Sequence, residues 1–319
     1  LTVHYHASGV TQEAQGLGRP RGENELVLYT PQYDVTTGAD ATGVEVVLQL
    51  ATPTLALSQP DEVVGEVVEV RVGKDAAPLP FDCLVLSATG EAAETLRTNA
   101  PLGSQVGLSQ HITGIGLDCV TPDGFDWRNT YAAIRGNHLF LQEGQPVGGP
   151  HDLAQRHPRT AVACNDQYVF FIVCDGRSEV SRGMTAIELG EFCRDHLGAT
   201  WGLNLDGGGS STLVINGTVM NVPSDGRERS IGNGLMMVNP QPKRTSTAFG
   251  AGQTVATTTE ANLRLGPGTN YAVLATLPVG TEGILLPHQL AGVFAKDEFW
   301  WKGLFDGRSG WVAESLLAP

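Results

Sequence analysis

WGLNLDGGGSST, residues 201–212, runs a short apolar strand, WGLNL, directly into a loop of three glycines and two serines. Lacking a Cβ, the glycines let backbone and ligand approach closely and can turn N–H groups towards an anion. Asp206 stands where the strand ends and the glycine loop begins, so its carboxylate is the first candidate for chemistry. By itself a GGGSS run more often marks a tight turn. Two common site motifs fail on spacing. A P-loop needs Gly-Lys-Ser/Thr at the end of its loop, and no lysine is there. A serine-hydrolase elbow needs G-x-S-x-G, which the chain lacks.

Immediately upstream, Thr185 followed by Glu188 makes a capping box, in which each side chain satisfies the other's backbone N–H. Leu189, Phe192, Cys193 and Leu197 then share one face and Gly198 ends the run, which predicts a helix. Before it, TAVAC and YVFFIVC flank Asn165-Asp166, a hairpin signal. After it, STLVIN and TVMNV flank Asn216-Gly217, a second hairpin, and GLMMV (234–238) closes the unit. Towards the N-terminus, ELVLYT (25–30), VEVVLQL (44–50), VVGEVVEVRV (63–72) and CLVLSAT (83–89) are valine- and leucine-rich runs bounded by turn residues. EAAETLRTNA (91–100) is a second helix candidate. The fold class these elements predict is α+β: a mixed, largely antiparallel sheet with a few packed helices.

Residues 239–253 are polar, aperiodic and rich in Pro and Gly, as in a linker. Beyond them, ANLRLGPGTNYAVLATLPVGTEGILL and FWWKGLFDGRSGWVAESLL suggest a small all-β barrel. The stretch resembles bacterial SH3-like domains, through N-x-R-x-G-P-G-T (Asn262, Arg264, Gly266, Pro267, Gly268, Thr269) and the ending Gly310-Trp311-Val312. That resemblance implies a module that binds cell-wall glycan or peptide, or one that positions an attached enzyme; a packing module without a ligand is the plainer alternative. Trp300, Trp301 and Trp311 are candidates for an exposed aromatic face, with at least one of them expected in the core.

Four polar motifs fall beside predicted strands: Arg159-Thr160-Ala161, Asp175-Gly176-Arg177, Asn204 to Thr212, and Pro223-Ser224-Asp225-Gly226-Arg227-Glu228-Arg229. In this order, with Gly183-Met184-Thr185 and Asn216-Gly217 between them, they resemble the phosphodiester glycosidase family. The resemblance is clear over about 130–238 and fainter in PRGENELVLYTP (20–31) and PFDCLVLSATG (80–90). It implies a phosphodiester glycosidase-like domain over 1–240, with a β-rich half at 1–112 and a motif-bearing core at 130–238. A linker at 241–253 and the SH3-like domain at 254–319 follow.

The resemblance further implies cleavage of a bond between a sugar C1 and a phosphodiester oxygen, as in a GlcNAc-1-phosphate-type linkage. The leaving group is then a phosphate monoester with a second pKa of about 6, which departs as an anion with little need of protonation. Planar guanidinium groups suit it because they hold two phosphate oxygens at once. Charge developing at C1 calls for a carboxylate, as nucleophile or as base for water. Asp206 leads, followed by Asp175 and Glu228. Substrate or phosphate contacts are expected from Arg159, Thr160, Arg177, Arg182, Asn204, Gly207, Gly208, Gly209, Ser210, Ser211, Asp225 and Arg229. The bland alternatives are a turn cap for Asp206, an arginine-orienting role for Asp175, an Asx turn for Asp225 and an ion pair of Glu228 with Arg229.

His138, His151 and His157 have no metal-ligand spacing. The residues point to no definite cofactor; a divalent cation such as calcium near the aspartates stays open, although no loop has the EF-hand pattern. Lys+Arg 20 against Asp+Glu 34 gives a net charge of −14, which argues against a general nucleic-acid binder. No run of 18 apolar residues exists, so no transmembrane segment is expected. The five cysteines are too few for a disulfide scaffold; Cys164, Cys174 and Cys193 read as buried thiols, and the pairing of Cys83 with Cys119, open to an exported protein, is left undecided by the sequence. The chain starts abruptly in strand-like sequence, which suggests that a segment upstream was removed. The expectation is a secreted or cell-surface bacterial hydrolase. The competing reading is a non-catalytic glycan or wall binder, or a protein of exopolysaccharide assembly.

Overall fold

The computed structural model describes residues 1–50, 62–110, 134–239 and 242–319. The chain divides into two compact units, residues 1–132 with 240–319, and residues 133–239.

The first unit begins with an eight-stranded sheet. Its strands are β1 (Thr2–Tyr5), β2 (Val10–Glu13), β3 (Gly16–Leu17), β4 (Leu26–Tyr29), β5 (Val44–Leu50), β6 (Val63–Val72), β7 (Cys83–Ala88) and β8 (Gln105–Ser109), in the order β2-β1-β8-β6-β5-β7-β4-β3. Every pairing is antiparallel except β3 with β4. The four apolar runs became β4 to β7. Because β4, β5 and β7 are buried on both faces, they read as nearly continuous hydrophobic sequence. Leu26, Leu28, Val46, Leu48, Leu84 and Leu86 face one core, where α1 (Gly90–Asn99) packs through Ala93 and Leu96. Val27, Tyr29, Val47, Cys83 and Val85 point into a second core on the opposite face.

The same unit ends in a second eight-stranded sheet, whose labels continue after those of residues 133–239. That intervening unit holds β9 (His138–Gln142), β10 (Gln145–Pro146), β11 (Arg159–Cys164), β12 (Val169–Cys174), α2 (Ala186–Leu197), β13 (Trp201–Asn204), β14 (Val214–Ile215) and β15 (Thr218–Val219). The C-terminal sheet comprises β16 (Thr254–Thr257), β17 (Ala261–Arg264), β18 (Val273–Leu277), β19 (Glu282–Leu285), β20 (Val293–Ala295), β21 (Glu298–Phe305), β22 (Arg308–Ala313) and β23 (Leu317–Ala318). Its pairings are all antiparallel. Trp300, Trp301 and Trp311 are each at most 3% exposed, so the aromatic face expected there is core. Phe81 joins the two sheets of this unit: its N–H donates to Leu265 O at 2.9 Å, and its ring meets Tyr271 edge-on at 5.6 Å. Residues 244–246 pair with 292–294, and Phe249 packs against Trp301.

The predicted fold class needs correction. The chain is mostly β, 39% strand against 10% helix, with two α-helices among the described residues in place of several packed ones. In the first unit, strands β4, β5 and β7 are buried on both faces, and α1 is its one α-helix among the described residues. GLMMV (234–238) forms no strand; Met236 and Met237 are exposed. The Cys83–Cys119 pairing left open by the sequence involves Cys119, which lies outside the described residues. Cys83 and Cys193 are buried free thiols, while Cys164 and Cys174 are partly exposed.

Candidate functional site

In residues 133–239 the five-stranded antiparallel sheet has the order β10-β9-β13-β11-β12. The register sets Arg159 opposite Cys174 and Ala161 opposite Asn204. The start of β11 and the ends of β12 and β13 therefore lie together at one end of the sheet, and three of the four polar motifs converge there. α2 packs against the sheet, over β9, β10 and β13. Its N-terminus carries the capping box, Thr185 Oγ1 accepting from Glu188 N and Glu188 Oε2 from Thr185 N, and Gly198 closes it in a left-handed conformation. Leu189 and Cys193 bury its inner face with Phe140, Ala161 and Ala163.

The glycine loop forms a short 3-10 turn over Gly208–Ser210. Its amides are largely used internally: Gly207 N donates to Asp206 Oδ1, Gly208 N to Pro158 O, Ser210 N to Gly207 O and Ser211 N to Gly208 O. What the glycines contribute is room for side chains. Gly208, at φ +62°, has the Arg177 guanidinium against it; a Cβ there would lie 3.1 Å from Nη2. At Gly209 a Cβ would run into the Asp225 carboxylate and the Arg229 guanidinium.

Arg229 donates to Asp225 Oδ2 from Nη2 (2.5 Å) and Nε (3.1 Å), and from Nη1 to Ser210 Oγ at 3.4 Å. Its partner is thus Asp225, four residues away, and Glu228 stands apart. Arg177 has φ +59°, a left-handed conformation that costs a non-glycine residue on the order of 1 kcal/mol. It is exposed and makes no hydrogen bond or ion pair among the described residues. Asp175 holds the fourth motif in place. Its Oδ1 accepts from Asn221 Nδ2 and Val222 N, both at 3.0 Å, just before Pro223. Asn221 also donates to Ser211 O and accepts from Leu213 N at 2.8 Å, tying the glycine loop to that segment.

Asp206 is exposed and lines a cavity of about 270 Å³ with Thr160, Ser210, Thr212 and Arg135 along its polar side. Thr160 Oγ1 donates to the buried Ser211 Oγ at 3.1 Å. Arg159 and Asn204 turn inward. Arg159, 4% exposed, donates to Met184 O, Asp152 O and Gln155 O, at 2.8, 3.0 and 2.6 Å. Asn204 Nδ2 donates to Asn137 Oδ1 and Leu205 O. Arg182 and Glu228 are exposed, with no hydrogen bond or ion pair among the described residues. The structure thus gathers Arg177, Asp225, Arg229 and Ser210 at the loop, with Asp206 beside them on the cavity, while Arg159 and Asn204 brace from behind.

Two participants had no sequence signal. Arg135 stands in no motif, and Asn221 was simply part of a hairpin strand; only the convergence of the chain reveals either. His157 lies near the arginines: burial, then the charges of Arg177 and Arg159, push its imidazole below its ordinary value, and its Nδ1 is buried with no partner among the described residues. Among the described residues, no three His, Cys, Asp or Glu side chains are placed to hold one metal ion. No described helix is long and apolar enough to cross a membrane.

A sequence profile of the phosphodiester glycosidase family matches residues 91–238. The mouse N-acetylglucosamine-1-phosphodiester alpha-N-acetylglucosaminidase is 41% identical over 104 residues, 29% of this chain and 19% of that protein. An uncharacterized SPbeta prophage-derived protein of Bacillus subtilis, YomE, is 35% identical over 99 residues, 31% of this chain and 15% of that protein. The chain therefore spans less than a fifth of either curated relative. Among solved structures, a hypothetical protein from Synechocystis aligns over 69% of this chain and 38% of its own, with 19% identity and a TM-score of 0.40.

Proposed function

We propose that residues 133–239 carry the reactive centre of a glycoside hydrolase that cleaves a sugar-1-phosphodiester of the GlcNAc-1-phosphate type. The observation that carries the reading is the Arg177 guanidinium, without a hydrogen-bonding protein partner and lying against Gly208, in a residue whose backbone is held in the left-handed region. Strained backbone is retained where function requires it, and a guanidinium left without partners is a ready fork for two phosphate oxygens. Arg229, held by Asp225, adds a second cation at the neighbouring glycine. Together they would stabilise the departing phosphate monoester, whose low second pKa removes the need for a strong general acid.

Asp206, at the mouth of the cavity, is placed in this reading as the carboxylate that meets positive charge at the sugar C1. Asp175, with Oδ1 occupied by Asn221 and Val222, acts as a positioning residue for the Asp225–Arg229 segment. No step in this scheme runs through a metal. Action on a cell-surface glycan belongs to the same proposal, supported by the resemblance of residues 254–319 to bacterial SH3-like domains.

The test follows released reducing sugar from a panel of sugar-1-phosphodiesters, with the parent chain beside Asp206→Asn and Arg177→Gln. Turnover by the parent, falling at least roughly 100-fold in each variant while folding is retained, is the expected result. Binding of a panel member without any turnover by the parent moves the non-catalytic glycan binder ahead. Undiminished activity in Asp206→Asn removes that residue from the centre.

A further inference from the structure

Within the first unit, a solvent-open cavity of about 700 Å³ lies at the seam between the N-terminal sheet and the C-terminal sheet. That is within the size range of small-molecule sites, roughly 300–1,000 Å³. Its walls are largely apolar, with Val47, Leu265, Leu274 and Leu304 contributed from both sheets. The charges around it are unbalanced. Asp82, fully buried, is satisfied by Lys302 and by His288 Nε2 at 3.0 Å, and Gln49 donates to it at 2.9 Å. Glu69 is taken by Arg71 at 2.8 Å and Lys74 at 3.5 Å. Arg264 and Arg308 also line the cavity, and neither has a carboxylate partner among the described residues. Arg264 gives Nη1 only to the backbone oxygens of Thr269 and Tyr271, and Arg308 stands exposed at the rim.

Neither arginine is neutralised by a carboxylate of the described residues, although the chain, at net charge −14, has carboxylates in excess. A second observation is independent of them. Trp311 lines the same cavity, is 1% exposed, and its indole N–H is buried with no acceptor among the described residues. Leaving a buried donor unpaired costs about 1–3 kcal/mol. An indole N–H donates only, so whatever satisfies it must bring an acceptor.

We infer that this seam binds a small ligand with an apolar body and an oxyanion: the apolar part lies on the aliphatic walls, and its acceptors serve Arg308, Arg264 and the Trp311 N–H. Carboxylates and phosphates share this chemistry, because the guanidinium fork fits both. The site shares no residue with the glycine loop or its arginines, so it does not depend on the hydrolase reading.

The experiment uses the full chain and isothermal titration at low salt with three probes: N-acetyl-L-leucine, phenyl phosphate, and the neutral N-acetyl-L-leucinamide. At least one anion should bind with a Kd of about 1 mM or tighter, and the neutral amide at least roughly tenfold more weakly. Which anion binds identifies the headgroup. Arg308→Gln, a surface change, should leave the unfolding midpoint unaltered and weaken the anion on the order of tenfold. Trp311→Phe should weaken it too, while keeping the ring. The inference is overturned if neither anion binds at tenfold the expected Kd, if the amide binds as well as the anions, or if Arg308→Gln binds as the parent does.

Discussion

The Asp225–Arg229 pair lies so close to Gly209 that a methyl group there would displace it, although Gly209 itself needs no left-handed backbone. The obstructing atoms are the ends of two flexible side chains, so they can yield. Gly209→Ala should therefore fold with a stability change of about 1 kcal/mol or less. Turnover of a sugar-1-phosphodiester should fall about 10- to 100-fold, because the second cation is moved from its place. Full activity would show that the pair is not needed where it stands. The cysteines give a second test at this scale. Burial pushes the Cys193 thiol up to about 11, and raises Cys83 further. Near pH 8, iodoacetamide should label the partly exposed Cys164 well before Cys83 and Cys193, with Cys174, also raised by burial, slower than Cys164, as read by mass spectrometry of peptides.

At the level of the element, the bounds of α2 agree with its capping signals, while Phe192, expected on its apolar face, is exposed. Glu188 closes the capping box and also pairs with Arg156, which donates from Nε at 2.9 Å. Arg156, then the Thr185 backbone N–H, hold its carboxyl down at about 2, against an ordinary 4.5. The folded value is the lower one, so Glu188 stabilises the fold fully above about pH 4.5. That stabilisation is lost as pH falls from there towards 2. Glu188→Gln should cost roughly 1 kcal/mol at pH 7, since the pair is solvent-screened. The gap between parent and variant should close below pH 3 in urea unfolding. A gap that is constant with pH would mean that the charge contributes nothing and the cap alone matters.

Across the first unit, the buried charges at the seam decide how firmly its two sheets are joined. Burial by itself would raise the Asp82 carboxyl, but the His288 hydrogen bond and the charge of Lys302 outweigh it and hold it far below the usual range. The cluster therefore keeps its charge well into acid. Asp82→Asn strands the Lys302 ammonium, and stability should fall by about 3–5 kcal/mol in chemical unfolding. The double variant Asp82→Leu with Lys302→Met removes both charges and should recover most of that loss. A single variant as stable as the parent would mean that water already reaches Lys302 and screens it.

Much of the local structure is legible along the chain, although the apolar run GLMMV forms no strand. Runs such as VEVVLQL and CLVLSAT are strands because their branched side chains fill both faces of a sheet. Thr185, Glu188 and Gly198 bound a helix through the backbone groups that they satisfy. The motif order likewise marks Arg177, Asp206, Asp225 and Arg229 as candidates for a site. Tertiary structure decided what these residues face. Arg159 and Asn204 resemble Arg177 and Asp206 in the motifs, yet their side chains turn into the core and are spent on backbone and amide partners. The tryptophans near the C-terminus became core, and Asp82 found its partners more than 200 positions away at His288 and Lys302. Periodicity and capping act over a few residues and can be read along the chain. The direction of a side chain depends on which strands become neighbours, and that is fixed only when distant segments pack.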